Sequence, residues 1–252
     1  MEDDKVSQPI VLHISGILGR MGQFVYGLGS KDPAFELVHG FDIAQPPDLV
    51  HGNHTYPPAE MGAVFRDPTR KPDVLLIFIK DTVAAVEQTK LAAQYGIWVV
   101  IGTTGFSASQ LAELRDLASR TAILVASNFS LGVTLMAKLT AVMASTLPAS
   151  YEPGIYEEHH RAKTDAPSGT AKMLAEVIET VRGLVMNQVS SFRGGNIAGI
   201  HKVTFAGQHE TLRFEHEAGS PVVFAEGAIL AVKWIAEREV PGWYTMNQVL
   251  GL

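Results

Sequence analysis

The fold is decided by residues 9–22, PIVLHISGILGRMG. Residues 10–15 are an apolar run rich in β-branched side chains, which predicts a buried strand. Glycine then recurs at positions 16, 19 and 22, and residues 24–28 have the apolar character of a helix. A strand, a glycine-rich turn and a helix in this order are typical of the first half of a dinucleotide-binding unit.

The glycines in this turn have distinct physical uses. Gly16 permits the tight turn, Gly19 lets the backbone approach a pyrophosphate, and Gly22 allows close packing of the helix. Arg20 is expected to contact the pyrophosphate, although a solvated side chain is the alternative. The spacing is GxxGxxG rather than GxGxxG. Taken alone, this segment is therefore equally consistent with an ordinary strand-to-helix turn and with a nucleotide-binding turn.

The next strand strengthens the nucleotide-binding interpretation. Residues 35–42, FELVHGFD, predict a second strand that ends in Asp42, about 20 residues beyond the glycines. A carboxylate at this position can accept hydrogen bonds from the adenosine ribose hydroxyls. The following residue is Ile43 and not an arginine, so nothing adjacent neutralises a 2′-phosphate. We therefore expect NADH to be accepted at least as well as NADPH.

Strand and helix patterns alternate through the next segment. Apolar strand patterns occupy residues 73–79, 96–101 and 122–126, with helical patterns at 81–95 and 107–119 between them. This alternation predicts an α/β fold with a Rossmann-like, doubly wound parallel sheet. Ligands bind such sheets beyond the carboxyl ends of the strands. Residues 102–104 and 126–129 follow two of these strands and are candidates for contacts with the nicotinamide half of a cofactor.

The second half of the chain has a different pattern. A small-residue apolar helix at 132–147 is expected to lead into a second domain. Strands are predicted at 155–157, 189–193, 201–206 and 211–216, and helices at 168–182 and 223–237. The segment from 129 to about 217 is thus expected to be α+β with a largely antiparallel sheet. Residues 44–72 are expected to be mostly loop, with a short strand at 63–65. His51 and His54 lack a third ligand with convincing spacing, so no metal site is predicted there.

Composition narrows the function classes. The chain has 252 residues, of which 46% are hydrophobic and 18% charged, enough for one large or two smaller domains. A formal net charge of -6 without a basic run disfavours nucleic-acid binding. The absence of cysteine excludes disulfides, thiolate zinc sites and cysteine nucleophiles. No signal-peptide layout and no membrane-spanning apolar run are found, so a cytoplasmic protein is expected.

The chemistry of the chain is concentrated in residues 156–171, YEEHHRAKTDAPSGTA. This segment holds two histidines, two cations, three carboxylates and a Ser-Gly-Thr turn that begins a helical pattern. Backbone N–H groups at a helix N-terminus are a suitable site for an anion such as a carboxylate. The segment therefore predicts a site for a small acid, with His159 or Lys163 giving or taking a proton. Asp165 is expected to cap the helix rather than to act in catalysis.

The run HHxxKxDAPSGTA in this segment resembles the 4-hydroxy-tetrahydrodipicolinate reductase (dihydrodipicolinate reductase) family of lysine biosynthesis. Supporting stretches extend along nearly the whole chain: GRMG at 19–22, GTTG at 102–105, NFSLG at 128–132, FAEGA at 224–228, PGWY at 241–244 and VLGL at 249–252.

The resemblance implies hydride transfer from NADH or NADPH to a cyclic, unsaturated imine dicarboxylate, without a metal. It implies a discontinuous dinucleotide-binding domain at 1–128 and 219–252, a substrate-binding and oligomerisation domain at 129–218, and a homotetramer. Catalysis would then take place at the cleft between the domains. The site residues implied are His159 as acid/base and Lys163 as proton donor; His160, Ser168, Gly169 and Thr170 at the substrate carboxylates; and, at the cofactor, Gly16, Ile17, Leu18, Gly19, Arg20, Met21, Gly22, Asp42, Phe78, Gly102, Thr103, Thr104, Ala126, Ser127, Asn128 and Phe129.

The chain departs from the family pattern at three places. Ile77 and Ile79 flank Phe78 where the family commonly has an acid and a small hydroxyl residue. Ile200 stands in place of a glutamate, and Pro221 stands where an arginine often occurs. These departures keep two alternatives open. One is a related NAD(P)H reductase acting on another small imine or oxo acid, and the other is a nucleotide-binding homologue without catalysis.

Overall fold

The structure is a computed structural model that describes residues 9–43 and 55–252. The strands are β1 Ile10–Ser15, β2 Phe35–Phe41, β3 Thr55–Tyr56, β4 Val74–Ile77, β5 Trp98–Ile101, β6 Ala122–Val125, β7 Glu152–His159, β8 Val189–Arg193, β9 Ile200–Ala206, β10 Thr211–Glu217 and β11 Gly242–Tyr244. The helices are α1 Arg20–Gly29, α2 Met61–Arg66, α3 Thr82–Gln94, α4 Ala108–Leu117, α5 Leu131–Thr146, α6 Gly169–Arg182, α7 Val222–Ala236 and α8 Met246–Val249, and a 3₁₀ turn spans Pro58–Glu60.

The chain divides into two compact units. The first comprises the described residues of Met1–Phe129 together with Phe224–Gly251. The second comprises Ser130–Val223 and the terminal Leu252. Each unit has its own sheet and its own apolar core.

The first unit is built on a parallel sheet of seven strands in the order β11-β6-β5-β4-β1-β2-β3. The side chains of its central strand β4 are fully buried, as a strand covered on both faces requires. Strand order reverses direction beside β1, which is the arrangement of a doubly wound sheet. The predicted Rossmann-like parallel sheet is confirmed.

One local prediction in this unit is wrong. Residues 63–65 were expected to form a short strand, but they lie within helix α2, Met61–Arg66. Val64 and Phe65 are buried, and the helix presents them together with Met61 to the core of the sheet. Three adjacent apolar residues show neither the strand nor the helix period, so the pattern could not distinguish the two. His51 and His54 lie outside the described residues.

The second unit is a four-stranded sheet in the order β10-β9-β7-β8. The β7–β9 and β9–β10 pairs are antiparallel, whereas β7 and β8 run parallel. The core lies between one face of this sheet and the helices α5 and α6, and its largest fully buried side chain is Phe205. The predicted α+β character and largely antiparallel sheet are confirmed.

Arg182, the last residue of α6, connects this helix to the end of α5, to the segment that follows α5 and to the sheet. Its guanidinium donates hydrogen bonds to the carbonyl oxygens of Ala144 (3.0 Å), Leu147 (3.1 Å) and Tyr151 (2.6 Å) and lies over the ring of Phe205. A cation at the C-terminal end of α5 satisfies carbonyls that the helix itself leaves without partners. These contacts fix the segment that leads from α5 into β7, the strand that ends at His159.

Within the residues that the structure describes, every helix falls short of the length and apolar character needed to cross a membrane.

Candidate active site

The glycine turn after β1 is closely packed. Gly16 has a φ of +83°, and a Cβ there would lie 2.5 Å from the carbonyl oxygen of Phe78. A Cβ on Gly19 would lie 3.1 Å from the carbonyl oxygen of Gly16, and one on Gly22 only 2.1 Å from it. The turn can therefore pack this closely against the N-terminus of α1 only because these positions lack side chains. Such an N-terminus is suited to a phosphate group.

Asp42 supports this turn. Its Oδ2 accepts a hydrogen bond of 3.0 Å from the backbone N–H of Leu18. One oxygen of the carboxylate is thus engaged in holding the turn, a role that the sequence did not suggest. The other residues of the turn differ in exposure: Ile17 is buried, Met21 is half-buried, and Arg20 is exposed at the first position of α1.

The carboxyl ends of β4, β5 and β6 lie side by side at the same edge of the parallel sheet. The Phe78 ring covers Gly102, where a Cβ would lie 2.0 Å from Cε1 of the ring. The Thr103 hydroxyl donates a 2.8 Å hydrogen bond to the Ile79 carbonyl, and the Phe129 ring packs against Phe78 at 5.6 Å between centroids. The remaining predicted cofactor residues here are Thr104 and Ser127, which are exposed, Asn128, which is half-buried, and Ala126, which is buried.

In the second unit, the acid/base candidate lies on the buried face of β7. Burial alternates along the strand, so Ile155, Glu157 and His159 face the helices while Tyr156 and Glu158 face away. Ile155 belongs to the apolar core. The two polar residues continue the same row toward the carboxyl end of the strand.

Glu157 is fully buried, and its carboxylate accepts hydrogen bonds from four residues. Arg193 on β8 binds it in a bidentate manner, with Nη2 2.7 Å from Oε1 and Nη1 2.9 Å from Oε2. The His159 Nδ1 lies 2.5 Å from Oε2, and the Ser168 backbone N–H donates to Oε1 at 3.3 Å. Burial alone would raise the pKa of this carboxyl. The hydrogen bonds from Arg193, Ser191 and His159 outweigh burial and lower its pKa to about 2, so Glu157 is a carboxylate at neutral pH.

The ring of His159 has two different surroundings. Its Nδ1 faces the Glu157 carboxylate, and its Nε2 faces Gly199, where a Cβ would lie 3.1 Å away. Burial lowers the pKa of His159, and the hydrogen bond and charge of Glu157 oppose that effect only in part. Lys163 and Arg193 lower it further. The imidazole is therefore neutral at pH 7 and protonates only under more acidic conditions or beside an added negative charge.

Two further histidines, His201 and His216, lie on the neighbouring strands beside His159. We call His159, His201 and His216 the histidine row. His201 on β9 is the register partner of Glu157, and His216 on β10 is the register partner of His201. The His201 ring lies 5.1 Å from the His159 ring between centroids, and its Nε2 lies 3.0 Å from the Ser168 hydroxyl. Burial, and next the charge of His159, lower the pKa of His201 to about 4. His201 is thus neutral at physiological pH and fixes the Ser168 side chain.

The start of α6 corrects one prediction. Asp165 was expected to cap this helix, but the cap is Ser168, whose Oγ accepts from the Ala171 N–H at 3.1 Å. Asp165 instead pairs with Lys163 at 2.7 Å, and its carbonyl accepts from Arg193 Nη2 at 2.6 Å. The hydrogen bond from Lys163 lowers the pKa of Asp165. Serine is the better placed residue because it directly precedes the first helical position.

The structure brings the predicted substrate residues together around this helix start. Gly169 and Thr170 occupy the first two positions of α6, and the Lys163 backbone N–H donates to the His160 carbonyl at 3.1 Å. Ser168 differs from what was expected, because its N–H and hydroxyl are already engaged by Glu157, Ala171 and His201. Its role at a substrate carboxylate would therefore be indirect. Within residues 9–43 and 55–252, no group of three or more acidic or histidine side chains could hold a metal ion.

Three residues of this site were not singled out from the sequence: Glu157, Arg193 and His201. The alternation of β7 contained a signal for the first, because a residue two positions before His159 lies on the same face of a strand. No comparable signal exists for Arg193 and His201. They reach the site only through the pairing of β8 and β9 with β7.

The departures noted in the sequence have separate locations. Ile77 is fully buried in the core of the first unit, and Ile79 packs against that core. Ile200 lies between Glu158 and Glu217 in the register of the second sheet. Pro221 is exposed just before α7.

Comparison with known proteins identifies relatives for both halves of the chain. The family described as "Dihydrodipicolinate reductase, N-terminus" matches residues 10–129, and "Dihydrodipicolinate reductase, C-terminus" matches residues 132–250. The 4-hydroxy-tetrahydrodipicolinate reductase of Methanocorpusculum labreanum is 39% identical over 255 residues, covering 95% of this chain and 98% of the relative. That of Aquifex aeolicus is 35% identical over 269 residues, with coverage of 95% and 98%.

Solved structures give the same result. The chain is similar to the dipicolinate-bound dihydrodipicolinate reductase from Paenisporosarcina sp. TG-14, with a TM-score of 0.82, 25% sequence identity, and coverage of 94% of this chain and 97% of that chain. The Corynebacterium glutamicum DAP dehydrogenase, solved in complex with DAP, has a TM-score of 0.58 at 14% identity, with coverage of 94% and 92%. The latter is a likeness of fold alone.

Proposed function

The chain belongs to the dihydrodipicolinate reductase family, and from that premise we propose which of its residues carry out the reduction. The protein is an NAD(P)H-dependent oxidoreductase that reduces 4-hydroxy-tetrahydrodipicolinate (dihydrodipicolinate) to tetrahydrodipicolinate, in the diaminopimelate route to lysine. The observation that carries the proposed mechanism is the pair His159 and Lys163, which flank the start of α6 with His159 fixed by a buried carboxylate.

The first unit has the features that a nicotinamide dinucleotide requires. The glycine turn packs closely against the N-terminus of α1, and a Cβ at Gly16, Gly22 or Gly102 would collide with neighbouring atoms. We propose that residues 16–22 hold the pyrophosphate, Asp42 the adenosine ribose, and residues 78, 102–104 and 126–129 the nicotinamide half. When bound, the reduced nicotinamide supplies the hydride.

His159 and Lys163 complete the reduction with a proton. Hydride addition to carbon of the conjugated imine moves an electron pair toward the ring nitrogen and its neighbours, and an acid must neutralise it. His159 can deliver that proton from Nε2 once its imidazole is protonated, because Nδ1 is committed to Glu157. The Lys163 ammonium carries a proton by default and attracts the dianionic substrate. One hydride and one proton are thus added to the unsaturated imine in each turnover, and from the 4-hydroxy compound the 4-hydroxyl group also leaves, with a ring hydrogen, as one water.

We propose that the start of α6 binds a substrate carboxylate. The first backbone N–H groups of a helix have no carbonyl partner within it, and the helix dipole favours a negative charge there. Gly169 and Thr170 occupy these positions, and Lys163 and His160 precede them. Ser168 contributes by holding the helix start against Glu157 and His201.

NADH is proposed to be at least as good a cofactor as NADPH. The Asp42 carboxylate would repel a 2′-phosphate, and the adjacent Ile43 is 92% exposed and carries no charge that could compensate. We further propose the discontinuous domain arrangement 1–128 with 219–252, and 129–218, with the first domain binding the nucleotide. We also propose a cytoplasmic location, because the reaction draws on the reduced nicotinamide nucleotides that support biosynthesis there.

A homotetramer is proposed for the assembly, formed through the sheet of the second unit. Phe192 on β8 supports this, because it is 47% exposed on the sheet face opposite Glu157. Light scattering should give a mass about four times that of one chain. A mass of one chain at micromolar concentration would contradict the assembly.

The mechanism is tested by following the oxidation of NADH and NADPH with enzymatically generated substrate. His159→Ala and Lys163→Ala should each lower kcat by about 10²–10⁴-fold, the usual loss when a general acid is removed. His209→Ala and Lys172→Ala are matched controls, since both side chains are exposed outside the site, and they should retain wild-type turnover. Wild-type turnover in both His159→Ala and Lys163→Ala would refute the assigned roles.

A reductase acting on a different imine or oxo acid is the second candidate. It is motivated by the departures from the family pattern at Ile77, Ile79, Ile200 and Pro221. Of these, Ile200 faces away from His159, because it pairs with Glu158 and Glu217 on the other face of the sheet. Turnover measured side by side on the expected substrate and on analogues decides between them, because higher kcat/KM on an analogue would select the second candidate. Tight NADH binding with no oxidation on any of these substrates would indicate a non-catalytic binder.

A further inference from the structure

We propose that Glu157, held in place by Arg193, is a positioning residue that fixes the tautomer and the orientation of His159. The inference rests on the proposed role of His159 in proton transfer and adds the groups that set up this transfer. It assigns a function to a buried ion pair that would otherwise be interpreted only as a structural link between β7 and β8.

The first step is the geometry of the carboxylate. Glu157 is fully buried, and its two oxygens are held by the two Nη atoms of Arg193 at 2.7 and 2.9 Å. The Arg193 side chain is in turn fixed, because Nη2 donates to the Asp165 carbonyl and Nη1 to the Phe192 carbonyl, at 2.6 and 2.7 Å. A carboxylate with a bidentate guanidinium partner has little rotational freedom. It presents Oε2 to His159 in one fixed direction.

The second step is the protonation of the ring. A carboxylate only accepts hydrogen bonds, so the 2.5 Å contact between Glu157 Oε2 and His159 Nδ1 requires the proton on Nδ1. The neutral ring then has its lone pair on Nε2, and the protonated ring has its transferable proton there. Nε2 faces Gly199, whose lack of a side chain leaves that nitrogen uncovered on this side. Glu157 therefore determines which nitrogen handles the proton.

The third step concerns the charges that face the ring. Glu157 on its own strand favours the imidazolium, whereas Arg193 from β8 and Lys163 from the following loop disfavour it. His201 from β9 lies 5.1 Å away between ring centroids and is neutral at physiological pH. Glu157 and Arg193 thus act on His159 in opposite directions, although they form one ion pair. Removing Glu157 and removing Arg193 should therefore shift the pKa of His159 in opposite directions.

Two substitutions test this difference. Glu157→Gln removes the negative charge at nearly constant shape, so we expect kcat to fall at least about 10-fold. The pH at which the catalytic histidine protonates should also move down. Arg193→Met removes the positive charge and leaves the carboxylate, so the histidine–carboxylate pair should take up its proton at higher pH. The readout is the pH dependence of kcat and kcat/KM for each variant, with folding checked by circular dichroism.

Glu158→Gln is the matched control. It removes the same charge from the adjacent position of β7, but its side chain faces the other side of the sheet. We expect kcat and the pH profile of this variant to stay within about twofold of the wild type, because the lost charge lies on the sheet face opposite His159, and light scattering checks that its assembly is unchanged. Shifts in the same direction for Glu157→Gln and Arg193→Met, or no shift in either, would overturn the proposal.

A direct measurement keeps the proposal testable even if a variant does not fold. Nitrogen-15 NMR of histidine-labelled wild-type protein reports the tautomer of His159, with the resonance assigned by comparison with His159→Ala. The Nδ1–H tautomer is expected at neutral pH, and the Nε2–H tautomer would overturn the inference. This readout needs no turnover. An enzyme inactive on the expected substrate would refute the proposed function while the tautomer still tested the positioning.

Discussion

A Cβ on Gly22 would lie 2.1 Å from the carbonyl oxygen of Gly16. Gly16, the first glycine of the turn, and Gly22 in the helix therefore belong to one packing unit, in which the first turn of α1 packs directly on the backbone that precedes it. The contact is possible only because position 22 has no side chain. It follows that the shape of the proposed pyrophosphate site depends on a residue that need not touch the cofactor.

Gly22→Ala should therefore damage both stability and nucleotide binding. The added methyl group must displace backbone, and such overpacking costs about 1–3 kcal/mol of unfolding free energy. Denaturant unfolding and NADH titration measure the two effects. Gly27→Ala in the same helix is the control, because a Cβ there meets nothing within 4 Å. That substitution should stabilise the protein by about 0.5–1 kcal/mol, and equal effects of the two substitutions would contradict the packing argument.

The architecture of the first unit could be predicted because its signals are local. Each strand from β4 to β6 is a continuous apolar run, and each is followed by a helix with a recognisable start. The helical pattern predicted at 107–119, for example, begins where Ser107 caps α4 in a complete capping box with Gln110. Residues 63–65 were misassigned because three apolar residues in succession do not specify a period.

Gly199→Ala should lower turnover more than it lowers stability. A Cβ at this position would lie 3.1 Å from His159 Nε2, closer than ordinary van der Waals contact, so the imidazole must shift away from the nitrogen that we assign to proton transfer. We expect kcat to fall by about 10-fold or more, because small misplacements of a catalytic group are costly. Gly154→Ala on β7 has nothing within 4 Å and is the control. Comparable kcat values in the two variants would argue against the assigned role of Nε2.

Asp42→Asn should shift cofactor preference toward NADPH. The amide oxygen can still accept from the Leu18 N–H, now at 3.0 Å from Oδ2, but the negative charge that opposes a 2′-phosphate is lost. The ratio of kcat/KM for NADPH to that for NADH should rise several-fold. This rise corresponds to about 1 kcal/mol or more of relative binding free energy. Glu36→Gln removes an exposed charge from the same strand and should leave the ratio unchanged. A ratio that falls in Asp42→Asn would contradict the proposed ribose contact.

His13 should make the protein sensitive to acid. It is fully buried in β1, both ring nitrogens lack a hydrogen-bond partner among the described residues, and burial followed by His39 lowers its pKa from 6.5 to about 3. Between these pH values the unfolded chain binds the proton and the folded chain does not. Stability must therefore fall as the pH falls, by up to about 1.4 kcal/mol per pH unit.

His13→Leu should remove most of this dependence. A leucine at position 13 has no polar atom that could be buried without a partner, so the free energy of unfolding at pH 7 should be unchanged or higher. At pH 4.5 the variant should unfold at higher denaturant concentration than the wild type. His201, whose pKa is lowered to about 4, and Glu157, whose pKa is lowered to about 2, keep their own acid effects in both proteins, so the dependence becomes shallower but does not vanish. His209→Leu in the exposed β9–β10 turn is the control. If the free energy of unfolding falls as steeply with decreasing pH in His13→Leu as in the wild type, the assignment of this effect to His13 is refuted.

The site in the second unit could be predicted only in part, for a reason that is also physical. His159, His160, Lys163 and residues 168–170 lie within one short segment, so a motif can reveal them together. The groups that set their properties come from β8 and β9, and Arg193 reaches Glu157 across 36 residues of chain. Neither strand order nor register is encoded in a local pattern. Only the assembled sheet therefore shows the Glu157–Arg193 ion pair, the histidine row and the hydrogen bonds of the Ser168 hydroxyl.

The pairing of β11 with β6 has a consequence for protein synthesis. Gly242 is the register partner of Ala122, so the edge strand that completes the first sheet is translated long after its neighbour. The strands and the helices α5 and α6 of the second unit are contiguous in the chain and leave the ribosome before β11 does. Since domains fold as they emerge, the second unit can finish folding while β6 is still an open strand edge. The nascent chain thus exposes that edge to chaperones or to other chains until β11 has been made.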